Sequence, residues 1–507
     1  MAKINTFYHF FTWLFIVVTL VIHHEYWRDE IRALSIVIGT SSWLEISSVI
    51  KNEGHPILWY WLLALLYPIL KGITLPVLSI FFGAVAVALF LFRSPFNLAI
   101  KILFTFSVLP LYEYSVMSRN YGISMMLMFI FAALYKNRQK NLLPLIITLA
   151  LLANTNLPAL ISSAGLTLVL FWDTLIEDQI DKRGTYGVQI FSGILLVIVA
   201  GIYSLVTIKP DDHTLLTNAH HIKSLTEYWA SAKPAFLYPG RAISSIFPAN
   251  FSIFTKFLPE IFIWILMLGL LTKPIAFFCL FISLFGVSFI YYFAYPLSLR
   301  HHGILLCLVI TLYWICFYKS EIRILHKPIL FLHKIALMLI LPLILIWRDA
   351  KAVSKAKQDY FYYVSSSKSL GLWLSYRLVY EKAILIVEPD YLFEGIPYYS
   401  DIKIYIPREK LFRKYGKSTD AQVQILSLRE ILSDAKKLHS ESNAPILIGF
   451  AWPMESQNES GEIILPYGRK FQWNKTDLIE FKQSFQLVEK FDASKSDENF
   501  YIYEVKN

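Results

Sequence analysis

Four short stretches carry side chains whose types and spacing could do chemistry. "HHEYWRDEIRA" (23–33) sets Asp29 and Glu30 between Arg28 and Arg32, directly after an apolar run. "EGHP" (53–56) offers Glu53 and His55 at a turn, where the glycine bends the chain and the proline presets entry into the apolar stretch that follows. "YEYSVMSRNYG" (112–122) brings Arg119 and Tyr121 to the start of another apolar run, and "YPLSLRHHGILL" (295–306) does the same with Arg300 and His301. A carboxylate can take a proton from a hydroxyl, and an arginine fork matches a pair of phosphate oxygens. Together these groups fit transfer from a phosphate leaving group to an acceptor hydroxyl, with cations stabilising the departing charge.

Each stretch also has a plainer reading: acids at a helix start, a turn histidine, arginines snorkelling at a membrane surface. A divalent metal on Asp29 and Glu30 is the alternative use of that pair, and no other cofactor is expected. Adjacent histidines, as at 23–24, 220–221 and 301–302, suit a metal poorly because sequence neighbours do not converge on one ion.

The elements that must position these residues follow from composition. Of 507 residues, 56% are hydrophobic and only 17% charged, against about 25% charged in soluble domains. The excess lies in apolar runs before residue 348. The fold class expected is an α-helical polytopic membrane protein with a C-terminal soluble α/β domain, divided as 1–350 and 351–507. Residues 351–507 hold 22 Lys+Arg against 21 Asp+Glu, so +9 of the net +10 belongs to the membrane part. Such charge sets topology, and no nucleic-acid partner is expected. The three cysteines lie in apolar runs and offer no disulfide framework or zinc site. The first run reads as a retained span rather than a cleaved signal.

The run "ILWYWLLALLYPIL" (57–70) has only fourteen residues and a proline near its end, whereas a span needs about 20. If the amino terminus is cytoplasmic and this run does not cross, Arg93, Lys101, Lys136, Arg138, Lys140, Lys182, Arg183, Lys273, Lys319, Arg323 and Lys327 all fall on the cytoplasmic side. About 11 transmembrane helices result. The loops 24–74 and 209–257 and the whole domain 351–507 then lie on the outer face, periplasmic or extracellular. "IRALSIVIGTSSWLEISSVI" has the amphipathic spacing of an interfacial helix. In the tail, "AILIV", "IKIYI", "PILIGF" and "NFYIYEV" read as strands, and "SSSKSLGLWLSYRLVY" and "LSLREILSDAKKLH" as helices. Outside the cytoplasm nucleotide sugars are not available, so a donor would be lipid-linked and would enter from the bilayer.

A first span, an outer "W-x-D-E" motif, then an acid and "H-P" before an aromatic helix resemble the GT-C superfamily of polytopic glycosyltransferases. The nearest branch is the bacterial, glycosyltransferase family 39-like group akin to protein O-mannosyltransferases and the aminoarabinose transferase of lipid A. "WRDE" (27–30), "EGHPILWYWLL", "SRNYG" and "LRHHGILL" carry the resemblance, over residues 8–135 and 290–320. The chain departs from the family at Ile57, where a second proline is usual, and in keeping only Ser118, Arg119 and Tyr121 of the third motif. It departs again in having histidine after Arg300 where an aromatic is commoner. The resemblance implies an inverting transferase in the bacterial inner membrane, using a polyprenyl-phosphate-linked sugar donor and a lipid, glycan or protein acceptor. It implies Asp29 as general base, Glu30 as acceptor or metal contact, and Arg119 and Arg300 as donor-phosphate contacts. The catalytic pair expected is Asp29 with Glu30 as its helper, while His23, His24 and Glu25 are expected to be interface residues. Glu53, His55, Tyr121 and His301 complete the expected substrate-binding set.

Two readings compete. An envelope polysaccharide polymerase or ligase would work through the 209–257 loop, with His213, His220, His221 and Arg241. A non-enzymatic transporter of lipid-linked glycans would bury charges in mid-span, and the apolar runs carry few.

Overall fold

The computed structural model describes residues 2–177, 185–209, 225–242, 257–293, 298–318, 327–362, 364–416, 423–492 and 496–506. The first part of the chain is helical. It opens with α1 (Ala2–His23), α2 (Arg28–Gly39), α3 (Trp43–Val49), α4 (Leu58–Leu70), α5 (Thr74–Arg93), α6 (Leu98–Phe106) and α7 (Tyr121–Leu134). Among the described residues, seven helical segments are long and apolar enough to cross a membrane: Asn5–His23, Leu58–Arg93, Leu157–Ile176, Gly187–Ile208, Pro274–Tyr292, Leu299–Cys316 and Lys327–Phe361. Leu143–Ala153 and Leu258–Thr272 are apolar but shorter. The segment Leu58–Arg93 contains a break at Lys71, whose φ of 49° ends α4.

Helix Leu299–Cys316 is the central post of the bundle, with every residue from His302 to Cys316 buried. A helix apolar on all sides belongs in such a place. Helix Thr185–Ile208 is the opposite case, exposing Phe191, Ile198, Ile202 and Val206. So large an outward apolar face calls for a nonpolar surrounding.

The stretch after α1 is not one amphipathic helix. It divides at Thr40–Ser42, where Ser42 caps α3 by accepting from the Glu45 N–H. Gly39, the last residue of α2, lies so close to the tail that a side chain there would meet the Tyr415 ring at 2.7 Å. Tyr415 belongs to the tail, which therefore packs directly on α2.

The boundary drawn at residue 350 falls inside helix Leu341–Phe361. Beyond it lie β1 (Ile384–Glu388), β2 (Lys403–Ile406), β3 (Leu411–Phe412), β4 (Ile425–Ser427), β5 (Ile446–Phe450), β6 (Gly461–Ile464), β7 (Lys470–Trp473), β8 (Phe485–Phe491) and β9 (Phe500–Val505). Six form a sheet in the order β3-β2-β1-β5-β9-β8, and three form a second sheet, β4-β7-β6. β1 pairs parallel with both β2 and β5, and all five residues of β1 and of β5 are buried. Helix Leu428–Ser442 between β4 and β5 has a capping box, Ser427 with Glu430, and a left-handed end at Asn443.

Arg408 joins the two sheets. Its guanidinium bonds Glu388 at the end of β1, at 2.6 Å, and donates to the carbonyls of Val423, Gln424 and Lys470 around the second sheet. Both charged side chains are 0% exposed. Arg408→Ala leaves Glu388 buried without a partner, which costs about 3–5 kcal/mol. Chemical denaturation of the detergent-solubilised chain should show that loss in the tail; an unchanged midpoint would mean the sheets hold without the bridge.

Candidate functional site

Helix α2 starts after the extended residue Trp27 and carries Asp29 and Glu30 in its first turn, where the helix dipole favours acids. Successive residues on a helix point about 100° apart, so the two acids go to different places. The Asp29 Oδ2 accepts from Arg119 Nη1 at 2.8 Å and from Arg300 Nη2 at 3.3 Å. Its Oδ1 has Arg28 Nε at 4.0 Å, beyond hydrogen-bond reach. Burial raises the Asp29 pKa, but the guanidinium groups of Arg119, Arg300 and Arg28 outweigh it, and the carboxyl sits below its ordinary value.

A cavity of about 200 Å³ opens beside this carboxylate, lined by Asp29, Arg32, Glu53, His55, Trp59, Tyr60, Arg119 and Asn120, among others. His55 lies with Nε2 3.4 Å from Arg119 Nη2. A guanidinium only donates, so that ring nitrogen is the acceptor. Burial, with Arg119 and Arg300 nearby, lowers the His55 pKa to about 3, which keeps the imidazole neutral. Glu53 grips Arg32 with both oxygens, each at 2.6 Å. Arg32 in turn bonds Glu394 of the tail, and the Gly416 carbonyl accepts from it at 3.2 Å. Burial raises Glu394 to about 7 despite that arginine.

Tyr121 and His301 stand behind the arginines rather than on the cavity wall. The Tyr121 ring lies 5.8 Å from the Arg119 guanidinium, and its hydroxyl is 2.9 Å from His301 Nε2. The Ser298 backbone N–H donates to His301 Nδ1 at 3.1 Å, closing the first turn of the central helix. Nε2 then carries the ring proton and donates to the tyrosine oxygen. Of the residues singled out from sequence, Asp29, Glu53, His55 and Arg119 line one cavity, and Arg300 reaches it through Asp29.

Glu30 is the exception. Expected beside Asp29 as its helper, it is 1% exposed and turned into the bundle. There it meets His24 Nε2 at 2.9 Å and accepts from the Ser118 N–H at 2.6 Å. His24 also differs from expectation: it is no interface residue but a buried bridge from Glu30 to Asp359. As metal ligands Asp29 and Glu30 do not fit, because one carboxylate faces two guanidinium groups and the other a histidine and a backbone amide. No three His, Cys, Asp or Glu side chains gather at a metal-holding distance among the described residues. Arg32, His24, Asp359 and Glu394 are contacts to which the motifs gave no role; Arg32 gave a signal by flanking the acid pair, and Ser118, retained in the third motif, enters through its backbone N–H.

The alternative site on the 209–257 loop falls largely on positions 210–224 and 243–256. His213, His220 and His221 lie outside the described residues, and Arg241 belongs to the short helix Pro239–Ala242.

The lowered Asp29 pKa has a stability consequence. Ionised Asp29 stabilises the fold above about pH 4, its unfolded value, and that contribution is lost as pH falls through the lowered native value. Arg119→Gln removes the foremost lowering influence. The variant should unfold more easily than wild type at neutral pH, and the gap should narrow as acid protonates Asp29 in both. Denaturation midpoints between about pH 7 and about pH 3 measure it; a gap independent of pH would mean that Arg119 acts by packing alone.

A scan against protein-family models and a search of curated proteins return no match to this chain.

Proposed function

We propose that the chain is a membrane glycosyltransferase of GT-C type. It moves a sugar from a polyprenyl-phosphate-linked donor to a hydroxyl of a lipid, glycan or protein acceptor, with inversion. The observation that carries this reading is the Asp29 carboxylate, held on one oxygen by two arginines and open on the other beside a cavity.

The chemistry follows from that arrangement. The acceptor hydroxyl lies against Asp29 Oδ1 and gives it a proton as its oxygen attacks the anomeric carbon. The bond from that carbon to the phosphate oxygen breaks on the opposite side, and its electron pair leaves with the phosphate. Charge grows on the phosphate as the reaction proceeds, so the pull on Arg119 and Arg300 shifts from Asp29 towards the leaving group. Asp29, losing its partners inside a buried site, becomes a stronger base when one is needed. Neutral His55 lies beside Arg119 without competing for its charge.

The finer layout belongs to the same proposal: about eleven spans in a bacterial inner membrane, with the 24–74 loop and the tail on the outer face. Its supports are the long apolar helices and the contact of the tail with α2.

Sugar transfer in membranes supplied with a lipid-linked donor tests the reading. Asp29→Asn, expressed at wild-type level, should lose about 10²–10⁴-fold in kcat. Arg300→Ala should lose about 10²–10³-fold. The acid limb of kcat/KM, which reports the free enzyme, should lie below the usual carboxylate range and move up in Arg119→Gln. Full activity in Asp29→Asn excludes it as the base.

A further inference from the structure

His24 lies buried between two carboxylates. Its Nε2 is 3.1 and 2.9 Å from the two oxygens of Glu30, and its Nδ1 is 3.1 and 2.9 Å from those of Asp359. The three side chains are at most 1% exposed. Ionised carboxylates only accept hydrogen bonds, so a histidine bonded to one on each nitrogen must carry both N–H groups. Burial opposes that charge, but Glu30 and Asp359 outweigh it and raise the His24 pKa to about 10.

This buried trio joins three elements: the end of α1, the first turn of α2, and helix Leu341–Phe361. Glu30 adds a fourth through the Ser118 N–H. The next residue along each segment makes the next contact, Asp29 with Arg119. Residues 29–30 and 118–119 therefore pair as a two-rung ladder. The inner rung is buried, and the outer rung opens on the cavity.

We propose that Glu30, clamped by His24 and Asp359, is a positioning residue that sets Asp29 against Arg119 through the Ser118 amide. The inference rests on reading Asp29 as the base. The N-cap residue Trp27 makes no side-chain cap, and the first N–H of α2, at Arg28, donates instead to Glu498 of the tail at 3.0 Å, so Glu30 is the contact that ties this turn to the bundle. With Glu30 pinned to the bundle, the 100° step of the helix aims Asp29 at the cavity.

The test uses the full chain in lipid nanodiscs. Glu30→Ala removes the inner rung and should lower kcat by about 10²-fold, the cost of roughly 1 Å of misplacement, with donor KM within about threefold. Glu30→Gln keeps an oxygen for the Ser118 N–H, and its amide can donate to a neutral His24. It should stay within about fivefold of wild type. A structure of Glu30→Ala should show the Asp29–Arg119 pair parted. Retention of both that pair and kcat in Glu30→Ala overturns the inference. So does a Glu30→Gln variant that folds but is inactive, which would put the Glu30 charge in the chemistry. If Glu30→Ala fails to fold, Glu30→Gln decides alone. If wild type shows no sugar transfer, the glycosyltransferase reading falls, and the geometry of Glu30→Ala still settles whether Glu30 sets the Asp29–Arg119 pair.

Discussion

A carboxylate drawn largely out of water needs cations, and Asp29 takes them from segments 90 and 271 residues away. With its side chain still 34% exposed, Asp29 gains moderately from these partners because water screens the pairing, and the pairing draws three chain segments together. The start of α7, the start of the central helix and the first turn of α2 must lie at one end of the bundle. Other features of that end follow. His55 is kept neutral by burial together with the same arginines, and Tyr121 and His301 brace them from behind.

Helix α2 sorts its charged residues among three surroundings. Glu30 goes into the bundle and Asp29 to the cavity. Arg28 and Arg32, one turn apart, go to the tail: Arg28 pairs with Asp497 at 2.6 Å and stacks over Tyr391, and Arg32 pairs with Glu394. The Tyr26 N–H donates to the Tyr399 hydroxyl at 2.9 Å, and the Tyr398 hydroxyl bonds the Gly72 carbonyl. The tail is thus part of the wall behind the cavity, since Arg32 lines that cavity while holding Glu394. Rigid surroundings of this kind keep a reacting group at a useful distance from its substrate.

The helical part with its apolar spans, and the sheet that follows, were legible in the sequence because long apolar runs and period-two strands are local signals. β1, β2, β5 and β9 each fall on a stretch rich in Ile, Val, Tyr or Phe. β3 and β4 have two and three residues, too few to show a period. At the site, Asp29, His55, Arg119 and Arg300 could be picked out because charged or polar residues at the ends of apolar runs need a reason. The function of Glu30 could not. Its partner His24 is bridged to Asp359, 335 residues away, and no pattern in residues 23–33 announces that link. The continuous helix expected over residues 31–50 failed for a similar reason: Gly39 and Ser42 respond to Tyr415 and to a cap, and only the first of these is distant.

The grip of the tail on α2 also orders events in time. Residues 28 and 32 emerge early from the ribosome, but Glu394, Asp497 and Glu498 are joined to the chain among the last. Until they arrive, Arg28 lacks Asp497 and Glu498, and Arg32 has Glu53 but not Glu394. The cavity wall is therefore finished only once the tail has been made. A chain that has made residues 28–33 but not yet the tail has its acids and arginines in place beside a cavity still lacking its back wall.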